Sequence, residues 1–355
     1  MPVWSWLIPG LSLGILLVAI AAGVGIVLAV LCGAALIGAV ITGVHHAEVV
    51  AHRVGEPFGT LVLALAVTVI EASLILSMMV AGGEDMAMLP RDTLYAAVMI
   101  IANGVVGLCL LLGGVAHREQ SFRVEGAGAG LAALIVMTTL SLVFPVFTTT
   151  TSGGTYSVSQ LAFVALTSTA LWVIFVFIQT VRHRDYFIPV TDAANPEVHA
   201  MPPTSRQAWA GFGLLLVSLV TVVGLAKTLS PTIEDAVDVA GAPKAVVGIL
   251  IAMLVLLPET WAAVRAARAN RLQTSMNLAI GSALASIGLT IPVVVVASIA
   301  FELPLILGLE PKEMVLLAVT FLVSAVTLGT GRTHVMQGAV HLVVFAAFLF
   351  LAFVP

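Results

Sequence analysis

Eleven apolar stretches, separated by short polar or glycine-marked breaks, run the length of the chain. They fall near residues 3–22, 25–44, 59–80, 92–115, 127–148, 157–181, 208–228, 246–266, 275–299, 312–330 and 334–354. Helices of about 20 residues, rising about 1.5 Å each, cross a hydrocarbon core of about 30 Å. The runs are continuous and do not alternate over about 10 residues, so they predict membrane-spanning helices and not barrel strands. A helix also satisfies its own backbone polar groups, which lipid cannot do. The first break is marked only by Gly23 and Gly25, but residues 3–44 are too many for one crossing. The longest polar connector covers 182–207 and contains Pro189, Pro196, Pro202 and Pro203, which makes it a loop.

Composition agrees with this pattern. The chain has 355 residues, of which 60% are hydrophobic and 9% charged. Soluble domains carry about 25% charged residues. A soluble enzyme, a nucleic-acid binder and a disordered scaffold are excluded, and the lipid bilayer is the expected environment. Cys32 and Cys109 lie inside apolar runs, with no disulfide framework and no metal-ligand spacing. The first run lacks a basic leader and is read as a retained span.

Charge sets an orientation. With eleven spans, Arg53, Arg118, Arg123, Arg182, Arg184, Arg206, Arg265, Arg268, Arg271 and Arg332 fall on one side of the membrane. Arg91, Lys227, Lys244 and Lys312 fall on the other. The arginine-rich side is expected to be cytoplasmic, so the N-terminus lies inside and the C-terminus outside.

Of 18 acidic residues, all but Glu71 and Glu259 fall in connecting segments or near span ends. These two sit deep in the third and eighth spans, with no Lys or Arg at the same depth. A carboxylate near the bilayer centre costs about 2.5–3.5 kcal/mol on insertion scales. Without a basic partner it must be protonated, hydrated or bound to a cation. A pair of them has two neutral states, doubly protonated or sharing a divalent cation, which is the chemistry of an exchanger. The alternative is a pair of protonated glutamates acting as interhelical hydrogen-bond donors.

The spans that carry the two acids are five apart and run in opposite directions. This predicts an inverted repeat with its site at the midplane. The expected organisation is an extra N-terminal helix over 1–24, a first five-helix repeat over 25–181, a cytoplasmic linker over 182–207 and a second five-helix repeat over 208–355. The next span of each half adds neutral oxygens: Asn103 follows Glu71 by 32 residues, and Ser286 follows Glu259 by 27. Ca²⁺ takes six to eight oxygen ligands. Thr68, Asn103, Ser282 and Ser286 are candidate supporting ligands, and Pro258 breaks the helix just before Glu259. Each also has a plainer reading, as an interhelical hydrogen bond or a simple kink.

Gly55-Glu56-Pro57-Phe58-Gly59-Thr60-Leu61 leads into Val69-Ile70-Glu71, and Gly281 through Pro292 reads GSALASIGLTIP. With Gly329-Thr330-Gly331-Arg332-Thr333, these segments resemble the bacterial ChaA-type calcium/proton antiporters of the cation/calcium exchanger superfamily. The resemblance covers essentially the whole chain. It implies a sodium/calcium exchanger-like fold of two α-repeats, alternating access, and ion binding at Glu71 and Glu259. It carries ligand roles more weakly to Asn103, Ser282 and Ser286. Val67-Thr68 and Val255-Leu256 stand where the superfamily often has Gly-Asn, and Thr260 where calcium/proton members often have His.

The expected function is therefore secondary active exchange of Ca²⁺ for H⁺, with Na⁺ or K⁺/H⁺ exchange through the same two glutamates as the alternative. No enzyme activity and no resident cofactor is expected. The partners are the transported cations and protons and the lipid; no nucleic acid is expected, and a homo-oligomer is compatible with the sequence. Two features stay open: the 182–207 loop is a solvated linker or a cation sensor, and His45, His46 and His52 are structural or pH-sensing.

Overall fold

The computed structural model describes residues 2–55, 58–188, 203–241 and 243–354. Among these residues, eleven helices are long and apolar enough to span a membrane. They are α1 (Trp4–Ala22), α2 (Ile26–Val54), α3 (Phe58–Gly82), α4 (Leu89–His117), α5 (Val124–Val146) and α6 (Val158–Arg182). The rest are α7 (Ser205–Ala240), α8 (Ala245–Arg268), α9 (Leu272–Ala300), α10 (Pro311–Leu328) and α11 (Val335–Phe353). The break between α1 and α2 is real: Gly23 adopts φ 75°, a left-handed conformation that stops the first helix.

Two helices outrun their expected ends. α2 continues ten residues past 44, to Val54, and α7 continues past Pro231 to Ala240. His45, His46 and Glu48 look like an interfacial stop, but His46 is fully buried and its Nε2 donates to the Ser5 carbonyl of α1 at 2.8 Å. A tertiary contact satisfies the polar group, so the helix need not end there. α2 and α7 also pack side by side along their length, which supports both against fraying. The core of the 182–207 connector, residues 189–202, lies outside the described residues, as do Glu56 and Pro57.

Hydrogen bonds between connecting segments test the span count independently. On the arginine-rich face, Arg53 Nη2 donates to Ser205 Oγ (2.8 Å) and Gln120 Nε2 to the Ala267 carbonyl (2.9 Å). On the opposite face, Lys244 Nζ meets Asp85 (2.9 Å), Arg91 Nη1 donates to the Gly308 carbonyl (3.1 Å), and the Gly308 amide donates to the Gly154 carbonyl (2.9 Å). Each bond joins segments separated by an even number of spans, as eleven crossings require.

The fold is not purely helical. β1 (Glu119–Ser121) and β2 (Arg332–His334) pair antiparallel, Gln120 opposite Thr333, on the arginine-rich face. Strands of three residues leave no periodicity to read in a sequence.

Packing follows an exchange of halves. α3 packs on α9 while α8 packs on α4; α6 packs on α9 while α11 packs on α4. α2 pairs with α7, and α3 with α8. Each contact within this set maps onto another, or onto itself, when span i is traded for span i+5. α1 stands outside this scheme, against α2 and α7. Crossed packing of this kind brings the middles of α3, α4, α8 and α9 together at mid-depth.

Candidate functional site

Glu71 lies at the middle of α3 and is 2% exposed. Its Oε2 accepts hydrogen bonds from Ser286 Oγ at 2.8 Å and Thr290 Oγ1 at 3.4 Å, both from α9. Ser286 and Thr290 are four residues apart, so one helix face presents both hydroxyls. Thr290 was not foreseen, although its spacing from Ser286 carries the signal. These hydroxyls are neutral donors that fit an ionised or cation-bound carboxylate oxygen.

Glu259 lies at the middle of α8, after Pro258. The proline has no N–H, so the Leu254 carbonyl one turn earlier loses its helical donor. Thr260 Oγ1 donates back to the Leu256 carbonyl at 2.6 Å. Glu259 Oε2 is buried and accepts no hydrogen bond among the described residues. Neither glutamate forms an ion pair with Lys or Arg among the described residues. The two acids therefore differ: Glu71 is held by two hydroxyls, and Glu259 presents an open oxygen.

Both line one cavity of about 380 Å³, together with Thr68, Ser282 and Ser286. Its walls come from α3, α6, α8 and α9. From mid-depth it runs past Gln179 and Asn277 to Arg184, Phe187 and Thr274, all near the arginine-rich ends of their elements. Beyond Glu71, toward the opposite face, Leu74, Ile75, Met78, Ile291 and Val294 are buried in close apolar packing. Its described lining residues lie between mid-depth and the arginine-rich face.

Asn103, a predicted supporting ligand, and Pro258, the predicted helix break, lie outside this cavity's lining. Asn103 is fully buried in α4 but does not line the cavity; its amide is bonded to α10 and α11. Pro258 lines a second cleft of about 690 Å³ with Trp4, His45, Glu48 and Arg265. Of the histidine cluster, His46 ties α2 to α1, His45 rests 4.9 Å from the Trp4 ring, and His52 is exposed.

Among the described residues, eleven apolar helices make the bundle of an integral membrane protein, with Glu71 and Glu259 on one cavity at mid-depth. The chain belongs to the sodium/calcium exchanger protein family, whose model matches residues 22–181 and 210–354. It is 48% identical over 357 residues to the putative ionic transporter y4hA of Sinorhizobium fredii, covering 100% of this chain and 97% of that one. It is 37% identical over 314 residues to the sodium-potassium/proton antiporter ChaA of Escherichia coli, covering 87% and 84%. Among solved structures, the H⁺/Ca²⁺ exchanger CAX superposes with a TM-score of 0.74 at 16% identity, covering 98% and 87% of the two chains; this likeness speaks to the fold.

Proposed function

We propose that the protein is a secondary active cation/proton antiporter that works by alternating access, with Ca²⁺ as the cation. The observation that carries this reading is the shared cavity holding Glu71 and Glu259, neither of which forms an ion pair with Lys or Arg among the described residues. Two bare carboxylates at this depth would together cost about 5–7 kcal/mol. That cost is relieved when both are protonated or when one divalent cation is shared between them. The site therefore crosses the membrane in either of two neutral forms, and one Ca²⁺ against two H⁺ is the simplest cycle.

The arginine-rich face is the cytoplasmic face in this reading, which puts the N-terminus inside and the C-terminus outside a bacterial cytoplasmic membrane. The structure then corresponds to the cytoplasm-facing state. Glu71 and Glu259 release protons into the cavity and take a cation, with the Thr68, Ser282 and Ser286 oxygens near by. Rearrangement of the crossed halves closes this cavity and opens the apolar seal on the other side. Protons then displace the cation, and the neutral pair returns.

A second reading, Na⁺ or K⁺ in exchange for H⁺, is favoured by the 37% identity to a relative named a sodium-potassium/proton antiporter. The same glutamates serve, because one carboxylate can remain protonated beside a monovalent ion. The deciding experiment is proton movement in proteoliposomes holding an imposed pH gradient, on addition of Ca²⁺, Na⁺ or K⁺ in turn. Movement with Ca²⁺ supports the first reading. Movement with Na⁺ or K⁺ alone replaces it with the second. Movement with none of the three removes both.

A further inference from the structure

The exchange of halves gives each carboxylate a partner helix from the other repeat. Glu71 of α3 takes its hydroxyl donors from α9. Its counterpart Glu259 lies on α8, which packs along α4, the segment Ile100–Val105 included. This segment is a π-helical turn, a form that inserts one residue into an α-helix and recurs at functional sites. Asn103 lies in its middle, where Ser286 lies in α9. Symmetry thus assigns Asn103 to Glu259.

In the structure, Asn103 is turned to other partners. Its Nδ2 donates to Thr320 Oγ1 of α10 at 2.9 Å, and its Oδ1 accepts from His341 Nδ1 of α11 at 3.3 Å. Thr320 Oγ1 in turn donates to the Leu316 carbonyl at 2.8 Å, and His341 Nε2 accepts from Thr327 Oγ1 at 3.1 Å. Every donor in the chain finds an acceptor, with the imidazole neutral and its proton on Nδ1. All four side chains are at most 3% exposed. Glu259 Oε2 is left without a donor among the described residues.

The contact that places His341 is built into the backbone. A Cβ on Gly107 of α4 would stand 3.0 Å from His341 Cβ and 3.0 Å from Leu342 Cγ, and one on Gly104 would stand 3.3 Å from the Phe345 ring. Gly338 of α11 meets the α4 backbone at Leu111 just as tightly. Small residues at these positions bring α4 and α11 close enough for imidazole and amide to meet.

We propose that His341 is a positioning residue of the cation site. With Thr320 it holds the Asn103 amide in reserve, and its release in the cation-bound state lets Asn103 join Glu259. A one-residue shift of the π turn, about 100° of helix rotation, is the motion that would turn the amide. This inference rests on the antiporter reading above.

The test is cation-driven proton movement by the full-length protein in proteoliposomes, read as half-saturating cation concentration and maximal rate separately. His341→Leu removes the hold, as does the near-isosteric Thr320→Val, so folding failure of one does not leave the question unanswered. Both are expected to lower the half-saturating concentration about three- to tenfold, the worth of one hydrogen bond, while slowing maximal exchange. His341→Asn, which keeps a donor for Asn103 Oδ1, is expected to restore the original value. In an Asn103→Ala background, neither His341→Leu nor Thr320→Val is expected to shift it further. An equal shift with and without Asn103, or a loss of maximal rate alone, overturns the positioning role. Exchange that persists in Glu259→Gln overturns the antiporter site and this inference with it, so the two failures are distinguishable.

Discussion

Ser286→Ala is the substitution whose effect the geometry defines most closely. It deletes the 2.8 Å hydrogen bond from Ser286 Oγ to Glu71 Oε2 and leaves the weaker 3.4 Å bond from Thr290. A buried hydrogen bond to a charged group contributes about 1.5–3 kcal/mol. That contribution belongs to the ionised carboxylate, which is the form a cation needs. Its loss favours the protonated form, so at fixed pH the cation competes less well. The half-saturating cation concentration is expected to rise about 10- to 150-fold, since every 1.4 kcal/mol is a factor of ten. The sign has a signature: raising pH on the loading side removes the competing proton and narrows the gap to the unsubstituted protein. The assay is initial proton movement in proteoliposomes against cation concentration at two pH values. An unchanged half-saturating concentration, or a defect of the same size at both pH values, would refute a protonatable Glu71 supported by Ser286.

Further outcomes follow from other parts of the structure. Thr290→Val should raise the half-saturating concentration only about two- to fourfold, given its 3.4 Å bond, and should aggravate Ser286→Ala; the same titration reads it. Arg91→Ala should lower the detergent-solubilised Tm by several degrees. It strips the buried Asp92 of its 2.7 Å ion pair and the Gly308 carbonyl of its donor, at a cost of about 3 kcal/mol. Asn277→Cys, in a background with Cys32 and Cys109 replaced by Ala, should react with a membrane-impermeant thiol reagent from the arginine-rich side and not from the other. Reaction from the far side alone would contradict this placement of the cavity. His46→Leu should destabilise the α1–α2 contact by about 1 kcal/mol through the Ser5 carbonyl, without moving the cation titration.

Much of this was legible in the chain because lipid imposes one requirement on every span. A run of about 20 apolar residues reports its own crossing, and two acids inside such runs, with no Lys or Arg at their depth, must be protonated, hydrated or bound to a cation. Glu71 and Glu259 therefore stood out, and the structure places them on one cavity with Thr68, Ser282 and Ser286. The ends of α2 and α7 were less legible. His46 reads as a stop until α1 supplies the Ser5 carbonyl, and that contact is tertiary. The seventh apolar run ends near 228 in the sequence, yet α7 continues through Pro231 to Ala240, packed along α2. The ribbon of Glu119–Ser121 with Arg332–His334 joins residues more than 200 positions apart and leaves no local pattern. Asn103 was recognised by its place after Glu71, but the direction of its amide depends on Thr320 and His341 from two distant helices. Thr290 was there to be found, one turn beyond Ser286.

The central claim is that Glu71 and Glu259 are the groups that carry protons and cation in turn. Its most direct test is cation-driven proton movement in proteoliposomes by Glu71→Gln and Glu259→Gln, compared with the unsubstituted protein reconstituted at equal density. Each Gln keeps the shape and removes the titratable charge. The account predicts that exchange with every tested cation is lost in each variant while the folded, monodisperse protein is retained. Coupled exchange that survives in either variant would contradict it.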